Sequence, residues 1–371
     1  MLRLIRTQYW IPRVKNLIRS TIHNCKACTI YRKRAQAQLM GILPKERTTF
    51  SRAFTNARVD FAGPFDIKSY SGRGCRMSKG YVCLFVCFAT KAIHLEATSD
   101  LSTQSFLAAF PRFIARRGCP KNIYSDNGTN FVGASRALRA ETKAFLKDAR
   151  DNTLAKYAHQ MLSWHFIPAS VPHMGGLWEA GVTSFKSHFT KIASNHKYTF
   201  EEFTTLLCRV ESCLNSRPLS PSSNQPGDLE PLTPGHFLIG GHILAPPEID
   251  ADENRASIVN RWQRLKALHR TFCKRWKSEY LTELQKRNKW RHPQANMKIG
   301  DLVIIKEDNL PPNEWRLGRV VNVHLGADNR ARVVDLMTER GQVTRPVVKL
   351  VLLPPCDQQH SESQPSNDST S

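Results

Sequence analysis

The sequence predicts an α/β protein built on a mixed sheet, followed by a smaller all-β region, and three observations carry this. Apolar runs of strand length at residues 80–90 and 91–98 precede a helical pattern, Thr103–Arg117, with Phe106, Leu107, Phe110, Phe113 and Ile114 on one face. A short apolar run ending at Tyr124 then alternates with a helix suggested by Phe131–Arg139, a strand at Trp164–Ile167 and a helical stretch carrying Glu179. From Ile299 the pattern changes to short strands separated by turn signals.

With 371 residues, 41% hydrophobic and 9% aromatic, the chain can bury two or three modest cores. Its 54 Lys and Arg against 31 Asp and Glu leave a net charge of +23, which points to a polyanionic partner, nucleic acid first. A basic surface kept for solubility is the blander reading, although so large an excess attracts nucleic acid nonspecifically anyway. No apolar run approaches the roughly 18–20 residues that cross a bilayer. The N-terminal MLRLIRTQYW also lacks an uninterrupted signal-peptide core, so an intracellular protein without a membrane partner is expected. Ten Cys, with Cys83, Cys87, Cys208 and Cys213 inside apolar runs, read as buried thiols of a reducing compartment.

Residues 1–35 hold a helical stripe of Val14, Leu17, Ile18, Thr21 and Ile22, then Cys25-Lys-Ala-Cys28. Tetrahedral zinc needs four ligands. Only half of such a site is visible, so Cys25 and Cys28 are half a zinc site or two unliganded thiols. A polar, basic linker, Ala35–Phe54, leads into a core segment over residues 50–220.

In that core Asp60 follows Val59 in a strand that Gly63-Pro64 is expected to break, and His94 reads as a packing residue rather than a ligand. In KNIYSDNGTNFVG, residues 121–133, the run ending at Tyr124 reads as a buried strand and Ser125–Gly128 as its exit turn, leaving Asp126 at a strand end. An isolated Asp-Asn-Gly is most often a helix cap. Its company changes the weight: 65 residues separate Asp60 from Asp126, and 52 separate Asp126 from Glu179. Two strand-borne Asp and one helix-borne Glu can converge on hard cations such as Mg²⁺, and paired ions clamp the attacking and leaving oxygens of a phosphoryl displacement. Asn127 and Asn130 support the Asp126 turn or touch substrate; both readings stay open.

The loop Pro168–Gly176, with prolines at one end and a Gly pair at the other, suits a segment that moves over a bound ligand. Lys186 falls on the helix face of Glu179 at i+7, whereas Lys191 at i+12 lies about 120° away. Beyond it, Thr199–Asn215 is an amphipathic helix with Phe203, Leu206, Leu207, Val210 and Leu214 inward, ended by NSRPLSP. Residues 221–255 form a Pro-rich connection whose physical role is not evident from the chain alone. A long basic helix follows over residues 256–292, with Trp262, Trp276 and Trp290 at intervals of fourteen; two heptads per interval place these rings on one face, to pack on a helix or chain. Its Lys266, Arg270, Lys274, Arg275 and Lys277 supply phosphate-seeking charge. Residues 298–354 suggest a small SH3-like barrel, and the Ser-, Gln- and Asp-rich tail 355–371 is expected to be disordered.

VDFAGP, KGYVCLFVCFATKAIHLE, DLSTQSFLAAFPRFIARRG, SDNGTNFVGA and GGLWEAGV, in that order, resemble the integrase of a long-terminal-repeat retrotransposon, most like the BEL/Pao group, over about Tyr9 to Pro354. The resemblance implies a ribonuclease H-like core, a partial N-terminal zinc-binding segment and a C-terminal barrel similar to modules that bind DNA or chromatin. It implies a polynucleotidyl transferase that holds two Mg²⁺ or Mn²⁺ ions with Asp60, Asp126 and Glu179, trims the element's 3′ ends and joins them to target DNA. Family members carry a His pair upstream of the CxxC; here no His precedes His23, which lies too close to Cys25 to stand in for that pair, so the resemblance argues against Zn²⁺ on Cys25 and Cys28 and implies that Met1 is a start inside the zinc domain. Lys186 is implied as a contact to DNA phosphates, with Arg316, Arg319, Arg345 and Lys349 as candidate DNA contacts in the barrel. A homo-oligomer on paired DNA ends and a nuclear location follow by resemblance. Two other readings stand beside it: an inactive or co-opted retroelement-derived DNA-binding protein, which the missing His pair favours, and a nuclease such as a resolvase or exonuclease, which fits the carboxylates but not the flanking domains.

Overall fold

In the computed structural model the described residues are 11–25, 49–72, 74–148, 162–166, 176–193, 196–223, 225, 227–245, 261–285, 296–307 and 310–354, with the side chains of 142–148 and 176–184 excepted. The chain divides into two units, Met1–Pro44 and Lys45–Ser371. In the first, the predicted stripe forms helix α1 (Val14–Asn24), with Val14 buried, Ile18 and Ile22 half-buried, and Leu17 exposed. Cys25 caps this helix; Cys28 lies outside the described residues.

The second unit is arranged around one long strand, β1 (Asn56–Lys68). Strand β2 (Met77–Cys87) runs antiparallel to it and β3 (Ile93–Thr98) antiparallel to β2; β4 (Asn122–Ser125) is parallel to β1 and β5 (Ser163–Phe166) parallel to β4. The order is β3-β2-β1-β4-β5, and the short β6 (Tyr198–Thr199) pairs with the far end of β1. This is the predicted mixed sheet. Contrary to expectation, Gly63-Pro64 does not end β1. The register shifts between Ala62 and Phe65 and the strand continues, because a bulge tolerates a residue with no N–H to donate. Gly63 is required there: its φ is 135°, and a Cβ would lie 2.8 Å from the Tyr81 ring.

Alternation along β1 feeds two cores. Ala57 and Val59 join Phe54, Phe85, Phe131 and Trp164 beneath helices α2 (Thr103–Arg117) and α3 (Thr129–Asp148). The α2 residues Phe106, Phe110 and Phe113 line this core as predicted, and Phe85 stacks on Phe113 at 4.1 Å. Each fully buried ring contributes about 1.5–3 kcal/mol of transfer free energy. On the other face, Ala62, Phe65 and Ile67 join Leu84, Phe185, Phe189, Phe203, Leu206 and Phe272 under helices α4 (Gly176–Ala193), α5 (Phe200–Asn215) and α7 (Arg261–Leu284). A capping box between Thr199 and Glu202 starts α5.

His94 is more than a packing residue. It is buried between two carboxylates, with Nε2 2.9 Å from Glu96 and Nδ1 3.3 Å from Glu211 of α5, while Arg112 and Arg116 of α2 hold Glu96 and Arg117 holds Glu211. Helix α5 also satisfies the open edge of β3: Asn215 bridges the Ile93 N–H and C=O at 2.8 Å each, and Glu211 accepts the Leu95 N–H at 2.8 Å. Of the cysteines expected to be buried, Cys83, Cys87 and Cys213 are, but Cys208 lies on the outer face of α5; all are free thiols.

The C-terminal region is an antiparallel five-stranded sheet of β9 (Leu302–Ile305), β10 (Leu317–Leu325), β11 (Ala331–Thr338), β12 (Gly341–Pro346) and β13 (Leu350–Leu352), in the order β12-β11-β10-β9-β13. A single 3-10 turn, Val347–Lys349, separates β12 from β13. Leu281 of α7 packs with Leu302, Ile304, Val351 and Leu353, so this helix joins the sheet to the core. The aromatic stripe on α7 holds only in part. Trp276 is buried against Tyr280 and Trp315, whereas Trp262 is 47% exposed with Arg209 and Lys266 over its ring, and Trp290 lies outside the described residues. A straight helix drifts about 20° per heptad, enough over two heptads to turn Trp262 off the buried face.

The Pro-rich connection holds β7 (Ser220–Pro221), β8 (Pro231–Leu232) and a short helix α6 (His236–Ile239). Its role is visible in Arg319 of β10, which donates to the carbonyls of Ser223 and Asp228, while Asn313 donates to that of Ile243. The connection ties the C-terminal sheet to the core.

Candidate active site

The parallel pairing of β1 with β4 aligns Asn56 with Asn122, Ala57 with Ile123 and Arg58 with Tyr124. Asp60 and Asp126 each lie two residues beyond the last of these pairs, Asp60 still within β1 and Asp126 one residue past the end of β4. Ala57, Val59 and Ile123 point into the α2–α3 core, and Asp60, the residue after Val59, turns to the side of α4, where Lys186 meets it.

Both carboxylates are held locally. Asp60 Oδ1 accepts the Phe61 N–H at 2.7 Å, and its Oδ2 lies 2.9 Å from the Lys186 ammonium of α4. Asp126 is exposed, and its Oδ1 accepts the Gly128 N–H at 3.0 Å, an Asx turn that points the chain into α3. A Cβ on Gly128 would meet Asn130 Oδ1 at 2.6 Å, so a larger residue there would displace the Asn130 side chain. The side chain of Asn130 serves this turn too, accepting the Phe131 N–H at 2.9 Å, whereas Asn127 is exposed.

Beneath the turn, Trp164 Nε1 donates to Ser125 Oγ at 2.9 Å, and Ser125 Oγ donates to the Asp126 carbonyl at 2.8 Å. A buried indole on β5 thus props the strand end that presents Asp126. The sequence places Trp164 in a strand but carries no signal that its N–H meets Ser125. Beside it Tyr124 stacks between Phe88 at 4.7 Å and His165 at 4.8 Å.

Glu179 lies in the first turn of α4, the helix that also carries Lys186; its side chain, like the loop 167–175, lies outside the described residues. Among the described residues no group of three His, Cys, Asp or Glu is arranged to hold a metal. The two carboxylates that can be assessed each suit a hard divalent cation: both are reachable by solvent, and each binds backbone through one oxygen. The Lys186 ammonium already provides a positive charge at Asp60.

The candidate DNA contacts in the C-terminal sheet separate into two kinds. Lys349 is exposed and Arg345 half-exposed, whereas Arg316 pairs with Glu307 at 3.3 Å. Arg319 is 3% exposed and bound to three carbonyls, so it is a structural clamp rather than a surface cation. Lys277 of α7 is likewise taken: it donates to the carbonyls of Pro311 and Glu314 at 2.8 and 2.9 Å and lies over the Trp315 ring. Among the described residues no helix is long and apolar enough to cross a membrane.

A sequence model for a family of unknown function, DUF5641, matches residues 260–353, the stretch that holds α7 and the C-terminal sheet. No curated protein matches the chain. Among solved structures, the chain overlaps a component of the simian T-cell lymphotropic virus intasome in complex with PP2A regulatory subunit B56 gamma, at 12% identity and a TM-score of 0.33. The overlap covers 95% of this chain and 94% of that one.

Proposed function

We propose that this protein is an integrase of the long-terminal-repeat retrotransposon type, most like the BEL/Pao group, which processes the 3′ ends of element DNA and transfers them to target DNA. The observation that supports the reading is the parallel pairing of β1 with β4, which ends two residues short of both Asp60 and Asp126, with Lys186 of the Glu179 helix bound to Asp60. Asp60, Asp126 and Glu179 would hold two Mg²⁺ or Mn²⁺ ions, which supply Lewis acidity to the attacking and leaving oxygens of a phosphodiester. The protein's own contribution is positional. The Asx turn at Gly128 and the Trp164–Ser125 prop hold Asp126, and the Phe61 N–H holds Asp60. When a cation replaces it at Asp60, Lys186 is free to take a backbone phosphate. Lys349 and Arg345 offer charge for DNA on the C-terminal sheet, read as an SH3-like module, and the ribonuclease H-like core is read from the strand order.

A second reading is a retroelement-derived DNA-binding protein without catalysis, and the Lys186–Asp60 ion pair favours it, because charge at Asp60 is already balanced without a metal. A strand-joining assay on branched DNA with Mg²⁺ or Mn²⁺ separates the two. The transferase reading expects metal-dependent joining that Asp126→Asn abolishes with fold and DNA binding intact. DNA binding without joining by the unaltered chain supports the second reading, and cutting without joining supports a nuclease.

A further inference from the structure

At the end of β1 remote from Asp60 there is a small cleft, of about 70 Å³, whose lining includes four Lys and Arg residues and one acid, Glu202. Lys68 ends β1, His196 and Lys197 precede β6, Tyr198 begins it, and Arg261 and Arg264 open α7. Eight residues of strand separate Lys68 from Asp60, roughly 26 Å at 3.3 Å per residue, so this is not the carboxylate site.

The charges of the cleft are only partly used. Arg261 is engaged, its Nε 2.6 Å from Glu202 Oε1 and its Nη2 3.4 Å from Thr199 Oγ1. The other nearby acid, Asp66, pairs with Lys79 at 2.7 Å. Lys68, Lys197 and Arg264 have no ion pair among the described residues, and burial together with the Arg264 charge keeps His196 below its ordinary pKa and so neutral. Tyr198 is 2% exposed, yet its hydroxyl has no hydrogen-bond partner among the described residues. That hydroxyl is closed off from solvent, so the charge the cleft offers comes from its Lys and Arg side chains.

We infer that this cleft binds a phosphate group of a polynucleotide backbone, with Lys68, Lys197 and Arg264 supplying charge. The volume holds a few water-sized groups, where a whole small-molecule site has about 300–1,000 Å³. It can take one oxyanion but not the rest of a nucleotide, so the remainder of the ligand must lie outside, as a nucleic-acid chain would. The chain's net charge of +23 favours the same class of partner.

The test is the salt dependence of duplex DNA binding, read by fluorescence anisotropy on the full chain in EDTA, for the parent, a Lys197→Gln/Arg264→Gln variant and Tyr198→Phe. Because EDTA removes divalent cations, this experiment and the joining assay can fail independently. The double variant should bind several-fold more weakly, with the slope of log K against log salt shallower by about one, the value of one phosphate contact. Tyr198→Phe, which keeps the ring and removes a hydroxyl closed off from solvent, is the control and should bind with parental affinity and slope. Circular dichroism confirms that each variant is folded. A folded double variant with the parental slope overturns the inference. Inorganic phosphate, added alone, tests the other source of this anion: if it raises the melting temperature of the parent but not of the double variant while the DNA slope stays parental, the cleft is a small-anion site and the polynucleotide assignment is wrong.

Discussion

The ammonium of Lys186 lies 2.9 Å from Oδ2 of Asp60, linking the helix of Glu179 to the strand that carries the first carboxylate of the candidate site. Their side chains are 34% and 20% exposed, so the pair is partly screened and worth no more than about 1 kcal/mol. A divalent cation at Asp60 has to displace this ammonium. Lys186→Gln should therefore tighten Mn²⁺ binding by up to about fivefold, as 1.4 kcal/mol corresponds to a factor of ten, while weakening duplex DNA binding. Titration calorimetry with Mn²⁺ checks the first effect; an unchanged or weaker Mn²⁺ affinity would show that the ammonium does not compete.

Trp164→Phe keeps an aromatic ring in the core but removes the 2.9 Å bond to Ser125 Oγ. The loss should cost about 1 kcal/mol of stability. If Asp126 works as proposed, joining should slow between about tenfold and a hundredfold, because small displacements of a reacting group are costly. Single-turnover rates beside urea unfolding curves measure the two effects together; a stability loss with a parental rate would remove Trp164 from the site.

The His94 cluster sets a pH window. Burial opposes the imidazolium, but its hydrogen bonds to Glu211 and Glu96 prevail and raise its pKa above the ordinary 6.5. Burial likewise opposes charge on Glu211 and Glu96, yet hydrogen bonds from His94 leave both carboxyls below the ordinary 4.5, with Arg112 helping at Glu96 and the Arg117 charge at Glu211. The histidine's stabilisation is complete below 6.5 and is lost as pH rises through its raised folded value. The carboxylates' stabilisation is complete above 4.5 and is lost as pH falls below it. The melting-temperature gap between the parent and His94→Gln should thus be widest near pH 5–6 and narrow as pH rises beyond 6.5. A gap that widens from pH 6 to pH 9 would mean that the histidine is neutral in the fold.

Asn215→Ala removes both 2.8 Å bonds to Ile93 and leaves a buried N–H and C=O at the edge of β3. At about 1–3 kcal/mol per orphaned group, the variant should lose about 2–5 kcal/mol in urea unfolding. A loss under about 0.5 kcal/mol would mean that the edge finds other partners.

The parts of this protein legible in its sequence are those where local pattern and burial agree. Helix α2 begins and ends where its Phe106–Phe110–Phe113 face predicts, and the Asp126 turn falls at the exit of β4. What the chain hides is decided by partners distant in sequence. Arg319 reads as a surface cation, because nothing near it announces the carbonyls of Ser223 and Asp228. His94 reads as packing because its second carboxylate comes from α5, and Lys186 reads as a free phosphate contact because Asp60 lies on another element. The break expected at Gly63-Pro64 fails for a related reason: β2 stays paired on both sides of the bulge.

The central claim is that Asp60 and Asp126 bind divalent cations together, and Mn²⁺ binding to the parent, Asp60→Asn and Asp126→Asn tests it most directly. Titration calorimetry on the full chain should find Mn²⁺ bound by the parent and strongly weakened by either amide, with melting temperatures close to parental because both carboxylates are solvent-reachable. Parental Mn²⁺ affinity in both folded variants would contradict the claim and leave the two aspartates as a strand-end turn and an ion-pair partner for Lys186.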